Sequence, residues 1–206
     1  QRCRAFASLE TLWRDTLAKN PGAWIAHNNL ATLLLERGRV DEAREHLARA
    51  TALQPKSPEI PNNLGSALLR LGRPAEAEPF LRRALALDAG YAPAYFNLAM
   101  ALEGLGRADE ALAQYAEAAR RDPGNALAHN NLGLCWLRKG RPAEALGPLQ
   151  AAVRADPGYA QGHNNLAVAL AMLGRLEEAK RQWRLALSLD PRNPEAKGNL
   201  LRHGGG

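Results

Sequence analysis

The chain is poor in aromatic residues, with four Trp, four Tyr and three Phe in 206 residues, and it has only two cysteines. Cys3 and Cys135 stand far apart and form no CxxC pattern, which argues against a disulfide framework or a zinc site and leaves the redox compartment open. Long apolar runs are missing too. Leu33-Leu34-Leu35 and the stretch from Ala167 to Leu173 are far too short to span a bilayer, so no membrane insertion is expected of this chain. There is no N-x-[ST] sequon and no signal peptide, and the sequence opens on Gln1 rather than Met. It reads as a piece cut from something longer, so absent targeting signals carry little weight and the compartment stays open. No nucleophile–His–acid set, Gly-rich phosphate loop or pair of catalytic carboxylates can be picked out, so neither enzymatic activity nor a cofactor is expected.

Hydrophobic residues make up 46% and charged residues 23%, enough apolar material for a packed core. Ala and Leu are plentiful, which suits close-packed helices better than a sandwich of strands. The formal net charge of +6 favours acidic partners without specifying a fold.

The strongest signal is an internal period. Asn-Leu pairs begin at Asn29, Asn63, Asn97, Asn131, Asn165 and Asn199, every interval being 34 residues. Gly-Arg pairs beginning at Gly38, Gly72, Gly106, Gly140 and Gly174 keep the same step, as do two Ala columns starting at Ala43 and Ala50. Pro21, Pro55, Pro123, Pro157 and Pro191 form a further column, with Ala89 the one exception.

With Trp24 as position 1, helix A of the first full unit is predicted over 24–37, ended at Gly38, and helix B over 40–54, stopped by Pro55. Pro74 and Pro142 fall in the first turn of B helices, where the missing N–H costs nothing. Pro79 and Pro148 sit inside B helices and are expected to bend them. The Ala columns allow close approach, and a bulky column of Leu47, Leu81, Tyr115, Leu149 and Trp183 fills the space between helices. Five full units are predicted at 24–57, 58–91, 92–125, 126–159 and 160–193. Residues 1–23 read as the B helix of a partial unit, with Trp13 in the bulky column, 194–203 as a final A helix, and Gly204–Gly206 as a disordered tail. The apolar side of Phe6, Leu9, Leu12 and Trp13 invites self-association through the open end.

These columns resemble the tetratricopeptide repeat family over nearly the whole chain. The resemblance implies an all-α fold: a right-handed α-solenoid of antiparallel helix pairs, here as one domain over 1–203. It also implies that A-helix positions 2, 5, 6, 9, 12 and 13 line a concave groove.

Position 6 is then Asn29, Asn63, Asn97, Asn131, Asn165 and Asn199, and position 5 is Asn28, Asn62, Phe96, Asn130, Asn164 and Gly198. Asn is a middling helix former, but its carboxamide both donates and accepts, matching an extended peptide backbone. Packed helices lie about 8–10 Å apart and an extended peptide advances about 3.3 Å per residue, so one Asn per unit could grip about every third residue. The ordering cost of a flexible peptide points to micromolar binding. The ladder is similar to the repeat region of O-linked N-acetylglucosamine transferases, and that likeness implies that these Asn residues hold a substrate peptide. The competing role for position 6 is to tie adjacent helices together. Position 9 reads Thr32, Ser66, Met100, Leu134 and Val168, and with Phe96, Leu137 and Met172 the wall grows more apolar toward the C-terminal units. The matching inner positions are mainly Asn, Thr, Ser and apolar residues, so capture of an acidic C-terminal peptide by a clamp of Lys and Arg is not expected.

His27, His129 and His163 share position 4 and are expected to pack between helices rather than bind metal. The arginines beginning at Arg39 read as a solvated rim or turn contact, with steering of an acidic partner as the sharper alternative, and the absence of an aromatic stacking series argues against nucleic acid. Glu42, Glu76, Glu110, Glu144 and Glu178 suit the first turns of B helices. The leading expectation is a scaffold for a peptide or protein segment. The alternatives are a substrate-recognition arm of a glycosyltransferase-like enzyme and a self-assembling scaffold. The stretch from Glu10 to Thr16, with Asn20-Pro21, is also similar to bacterial membrane-anchored proteins carrying a C-terminal repeat domain.

Overall fold

The computed structural model describes residues 2–203, with side chains from residue 9 onward. Gln1, the side chains of Cys3 and Phe6, and the Gly204–Gly206 tail lie outside the described residues. The described residues form twelve α-helices and no strand: α1 (Arg2–Lys19), α2 (Trp24–Glu36), α3 (Val40–Leu53), α4 (Glu59–Arg70), α5 (Pro74–Leu87), α6 (Ala92–Gly104), α7 (Ala108–Arg121), α8 (Ala126–Arg138), α9 (Pro142–Ala155), α10 (Ala160–Met172), α11 (Leu176–Leu189) and α12 (Pro194–Arg202). The fold is an all-α helical-repeat solenoid. The chain divides into two compact units, Gln1–Arg107 and Ala108–Gly206.

Backbone chemistry explains the sharp turn between paired helices. Past the end of α2, the Gly38 N–H bonds the Leu35 carbonyl at 2.9 Å and the Arg39 N–H reaches back to the Leu34 carbonyl at 2.9 Å. This is a Schellman closure, and it needs a left-handed residue at Gly38, whose φ is +73°. The same bonds recur after α4, α6, α8 and α10. The residue after each glycine does a second job. Arg39 is the N-cap of α3 and its guanidinium forks onto Glu42 at 2.6 and 2.7 Å. Arg73–Glu76, Arg141–Glu144 and Arg175–Glu178 repeat that fork. These four arginines are thus paired locally, and Arg107 reaches Glu78 of α5 at 2.7 Å. The bond from Arg141 holds the Glu144 carboxyl below its ordinary range, as Arg175 does for Glu178.

The return connections are closed differently. An Asp carboxylate caps the N–H two residues on, as in Asp88 to Gly90 at 2.7 Å and Asp156 to Gly158 at 2.9 Å. Position 4 then ties the turn to its helix. The Nε2–H groups of His27, His129 and His163 donate to the carbonyls of Pro21, Pro123 and Pro157 at 3.0, 3.2 and 3.1 Å. Tyr95 donates its hydroxyl to Ala89 in the same register, at 3.1 Å. The histidine column is a turn lock. Among the described residues no group of His, Cys, Asp and Glu could hold a metal ion.

In the first unit, α2 lies beside α4 and α4 beside α6, with α3 and α5 behind them. Leu30, Ala31, Leu34, Leu35, Ala43 and Ala67 form the core, and Trp13, Leu17, Leu47 and Leu64 pack on it. Trp13 therefore joins the interior, while Leu9 and Leu12 are exposed. In the second unit, α8, α10 and α12 line up and α9 and α11 back them. Leu149, Leu166, Leu170 and Trp183 build that core among Ala145, Ala167, Ala179 and Ala186. The expected local bends of α5 and α9 do not divide them: each runs unbroken through its internal proline, Pro79 and Pro148.

Candidate functional site

The A helices α2, α4 and α6 in one unit, and α8, α10 and α12 in the other, carry the two Asn positions. Adjacent in sequence, the two positions have different environments. Position 5 is buried: Asn28, Asn62, Asn130 and Asn164 keep 1–4% of their surface. The expectation that these four line an open groove is corrected, because neighbouring helices cover them. Position 6 is half-buried at Asn29, Asn63, Asn97, Asn131 and Asn199 and buried at Asn165.

The two positions are coupled across repeats. Asn97 Nδ2 donates to Asn62 Oδ1 at 2.9 Å, Asn165 Nδ2 to Asn130 Oδ1 at 2.8 Å, and Asn199 Nδ2 to Asn164 Oδ1 at 3.5 Å. Each is a rung from position 6 to position 5 of the preceding A helix. Within a helix, Asn62 donates to Asn63 at 3.4 Å and Asn130 to Asn131 at 3.2 Å. Two rungs are not made, and at the first of them Asn28 Oδ1 is buried without a partner. Asn131 uses a different acceptor, the Tyr115 hydroxyl at 3.2 Å. Thirty-five residues before Asn131 stands Phe96, which has no carboxamide.

These bonds absorb part of each carboxamide's capacity. A side-chain amide offers two N–H donors and a twice-accepting oxygen. Asn97 spends one donor on its rung. Asn165 is more fully engaged, since its oxygen also accepts from Gln161 at 3.2 Å. Gln161 and Asn164 in turn both donate to Glu195, at 3.0 and 3.2 Å. Sequence reasoning missed Gln161, Glu195 and Tyr115. Only Tyr115 left a signal, being a hydroxyl-bearing residue in a column otherwise mostly Leu.

The apolar members of the face are spread between the units. Met100 is 40% exposed and Met172 is 52% exposed, while Phe96, Leu134, Leu137 and Val168 are half-buried. Thr32 bonds the Asn28 carbonyl at 3.1 Å, which turns its hydroxyl back onto its own helix. Arg70 pairs with Glu36 across α4 and α2. Among the described residues no helix is long and apolar enough to cross a membrane.

Paired helices of fixed length, closed by one glycine turn and laid side by side with a polar seam, define a helix-pair repeat protein. Family models of the tetratricopeptide repeat match residues 8–58, 30–92, 96–160 and 160–193, and the chain belongs to that family. No curated protein matches it. Among solved structures, it is similar to YrrB, a TPR protein with an unusual peptide-binding site, at 21% identity and a TM-score of 0.69, over 91% of this chain and 96% of that one. It is also similar to PilW, a type IV pilus biogenesis factor, at 22% identity and a TM-score of 0.75, over 97% and 92% of the two chains. The first TPR of Spaghetti (RPAP3), bound to an HSP90 peptide, is 27% identical with a TM-score of 0.54, over 56% of this chain and 92% of that one.

Proposed function

We propose that this chain is a non-enzymatic protein-interaction scaffold that holds an extended peptide or protein segment against the A-helix face. The observation that carries this reading is the bracing of position 6 from behind. A buried position-5 carboxamide orients a half-buried one in front of it, as Asn62 does for Asn97. The front carboxamide keeps a donor and an oxygen lone pair for a peptide bond, and its direction is set before the ligand arrives. In the first unit Asn97, braced by Asn62, is the best placed for this, with Phe96 and Met100 on the same helix. In the second it is Asn131, braced by the Tyr115 hydroxyl, with Leu134 on the same helix. Asn165 serves the seam rather than the ligand. YrrB, with its peptide-binding site, and the first TPR of RPAP3, bound to an HSP90 peptide, support the same kind of partner.

A peptide array of varied sequence, probed with the purified chain and its Asn97→Ala and Asn131→Ala variants, tests the reading. Backbone contacts predict a loss of about two- to twelve-fold per substitution, similar across peptide sequences. Unchanged binding by both variants, with helicity intact, would reject the carboxamide grip.

A further inference from the structure

We infer that the second unit contains a built subsite for one aliphatic residue of an extended peptide, centred on the indole N–H of Trp183. The inference rests on the scaffold reading above and gives it a side-chain preference. A cavity of about 200 Å³ is lined by Val168, Ala171, Met172, Trp183, Asn199 and His203. Trp183 is only 1% exposed, and its Nε1–H has no acceptor. An unpaired buried donor is costly to the fold, so something must offset it or use it.

The equivalent place in the same unit shows what is missing. Tyr115 and Asn131 are separated by 16 residues, as are Trp183 and Asn199. Tyr115 and Asn131 satisfy each other, because a hydroxyl can accept the carboxamide N–H. An indole only donates. The Asn199 N–H turns instead to Asn164, at 3.5 Å. Trp183 and Asn199 thus line one cavity, with the indole nitrogen itself sealed from solvent in the unliganded chain. That pair complements a single peptide unit, whose carbonyl would accept from the indole and whose N–H would donate to the Asn199 oxygen. Val168, Ala171 and Met172 add an apolar wall suited to an aliphatic side chain. The His203 ring stacks on the indole, with centroids 5.3 Å apart and planes 12° apart, and acts as a cover that the ligand displaces.

The test is a titration followed by NMR, with N-acetyl-leucine N-methylamide as the probe. The chain has two methionines, Met100 and Met172, so methyl-labelled Met reports the two units separately. Four indole N–H signals exist, and Trp183→Phe assigns the one of interest. The expected result is a shift of the Trp183 indole signal and the Met172 methyl, with weaker effects from N-acetylglycine N-methylamide. Free N-acetyl-leucine is the arm that separates a chain-end carboxylate from an internal carbonyl as the acceptor. Trp183→Phe should weaken binding about two- to twelve-fold, and His203→Ala should strengthen it. An indole signal that stays fixed up to the solubility limit of the leucine probe, in the native chain and in His203→Ala, overturns the subsite even if Trp183→Phe fails to fold. Shifts confined to the side-chain amides of Asn97 and Asn131 would remove the subsite and keep the scaffold reading. Shifts confined to Trp183 and Met172 would keep the subsite and remove the carboxamide grip.

Discussion

Removing the Asn165 side chain would leave the Asn130 oxygen, itself buried, without its donor. Asn165→Ala is expected to lower stability by about 1–3 kcal/mol, read as a shift in the urea midpoint. Space decides the glycines of the A helices. A Cβ at Gly133 would stand 2.5 Å from Leu149 Cγ, and one at Gly65 would stand 2.6 Å from Leu81 Cγ. Gly133→Ala gains about 1 kcal/mol of helix propensity but overpacks a sealed contact, so a net loss of about 1 kcal/mol or more is expected by the same measurement. The sequence showed the Asn columns and their period plainly. It could not show which of two neighbouring asparagines faces outward. Both lie on the inner arc of the helix, and the next helix decides which one it covers. Nor could it show that Asn131 would take a hydroxyl, since that depends on where Tyr115 stands one helix earlier.

Between elements, α2 and α3 are joined by a histidine pair. His27 and His46 approach at 2.8 Å between their Nδ1 atoms, and His27 also donates through Nε2 to Pro21. Burial lowers the pKa of His46, and His27 and Arg14 push the same way, against Glu42 and Glu45. The sign follows from linkage. Above pH 6.5 the unfolded histidine is neutral too, and the stabilisation is fully present. As pH falls below 6.5 the unfolded chain takes up the proton first, and stability is lost. The carboxylates Glu10 and Glu42 weaken only below their ordinary value of 4.5, so the two windows separate. The second unit has a natural control, since His163 meets the Gln182 amide at 2.7 Å in the same register. His46→Gln is expected to keep the urea midpoint near neutrality and to abolish the drop that begins as pH falls below 6.5. The helix ends were legible beforehand because glycine and proline announce them. The arginine column was not, because pairing with Glu three residues on and steering an external acidic partner use the same residue.

For the molecule as a whole, each unit owns a core made of its own residues. Residues 108–206 expressed alone contain six helices and the Leu149–Trp183 core, so they are expected to retain helical circular dichroism and a cooperative urea transition. A non-cooperative, sloping transition would show that the core is insufficient by itself. The 34-residue period made the solenoid class readable from sequence alone, whereas the division into two units left no mark in it. Composition does not change at Arg107–Ala108, and the Gly-Arg column passes through without interruption.

The glycine-closed turn carries a consequence for how such a chain can change its length. Every backbone bond that closes the turn lies within a few residues, from the Leu34 carbonyl to the Arg39 N–H. Duplicating or deleting one 34-residue cassette would therefore leave every remaining hairpin chemically intact. The carboxamide at each new junction, and the ion pairs that cross it as Arg39–Glu10 and Arg107–Glu78 do, would have to find fresh neighbours. A gene encoding this chain could lengthen or shorten its product in whole steps, and the residue at position 5 would determine which copies can sit side by side.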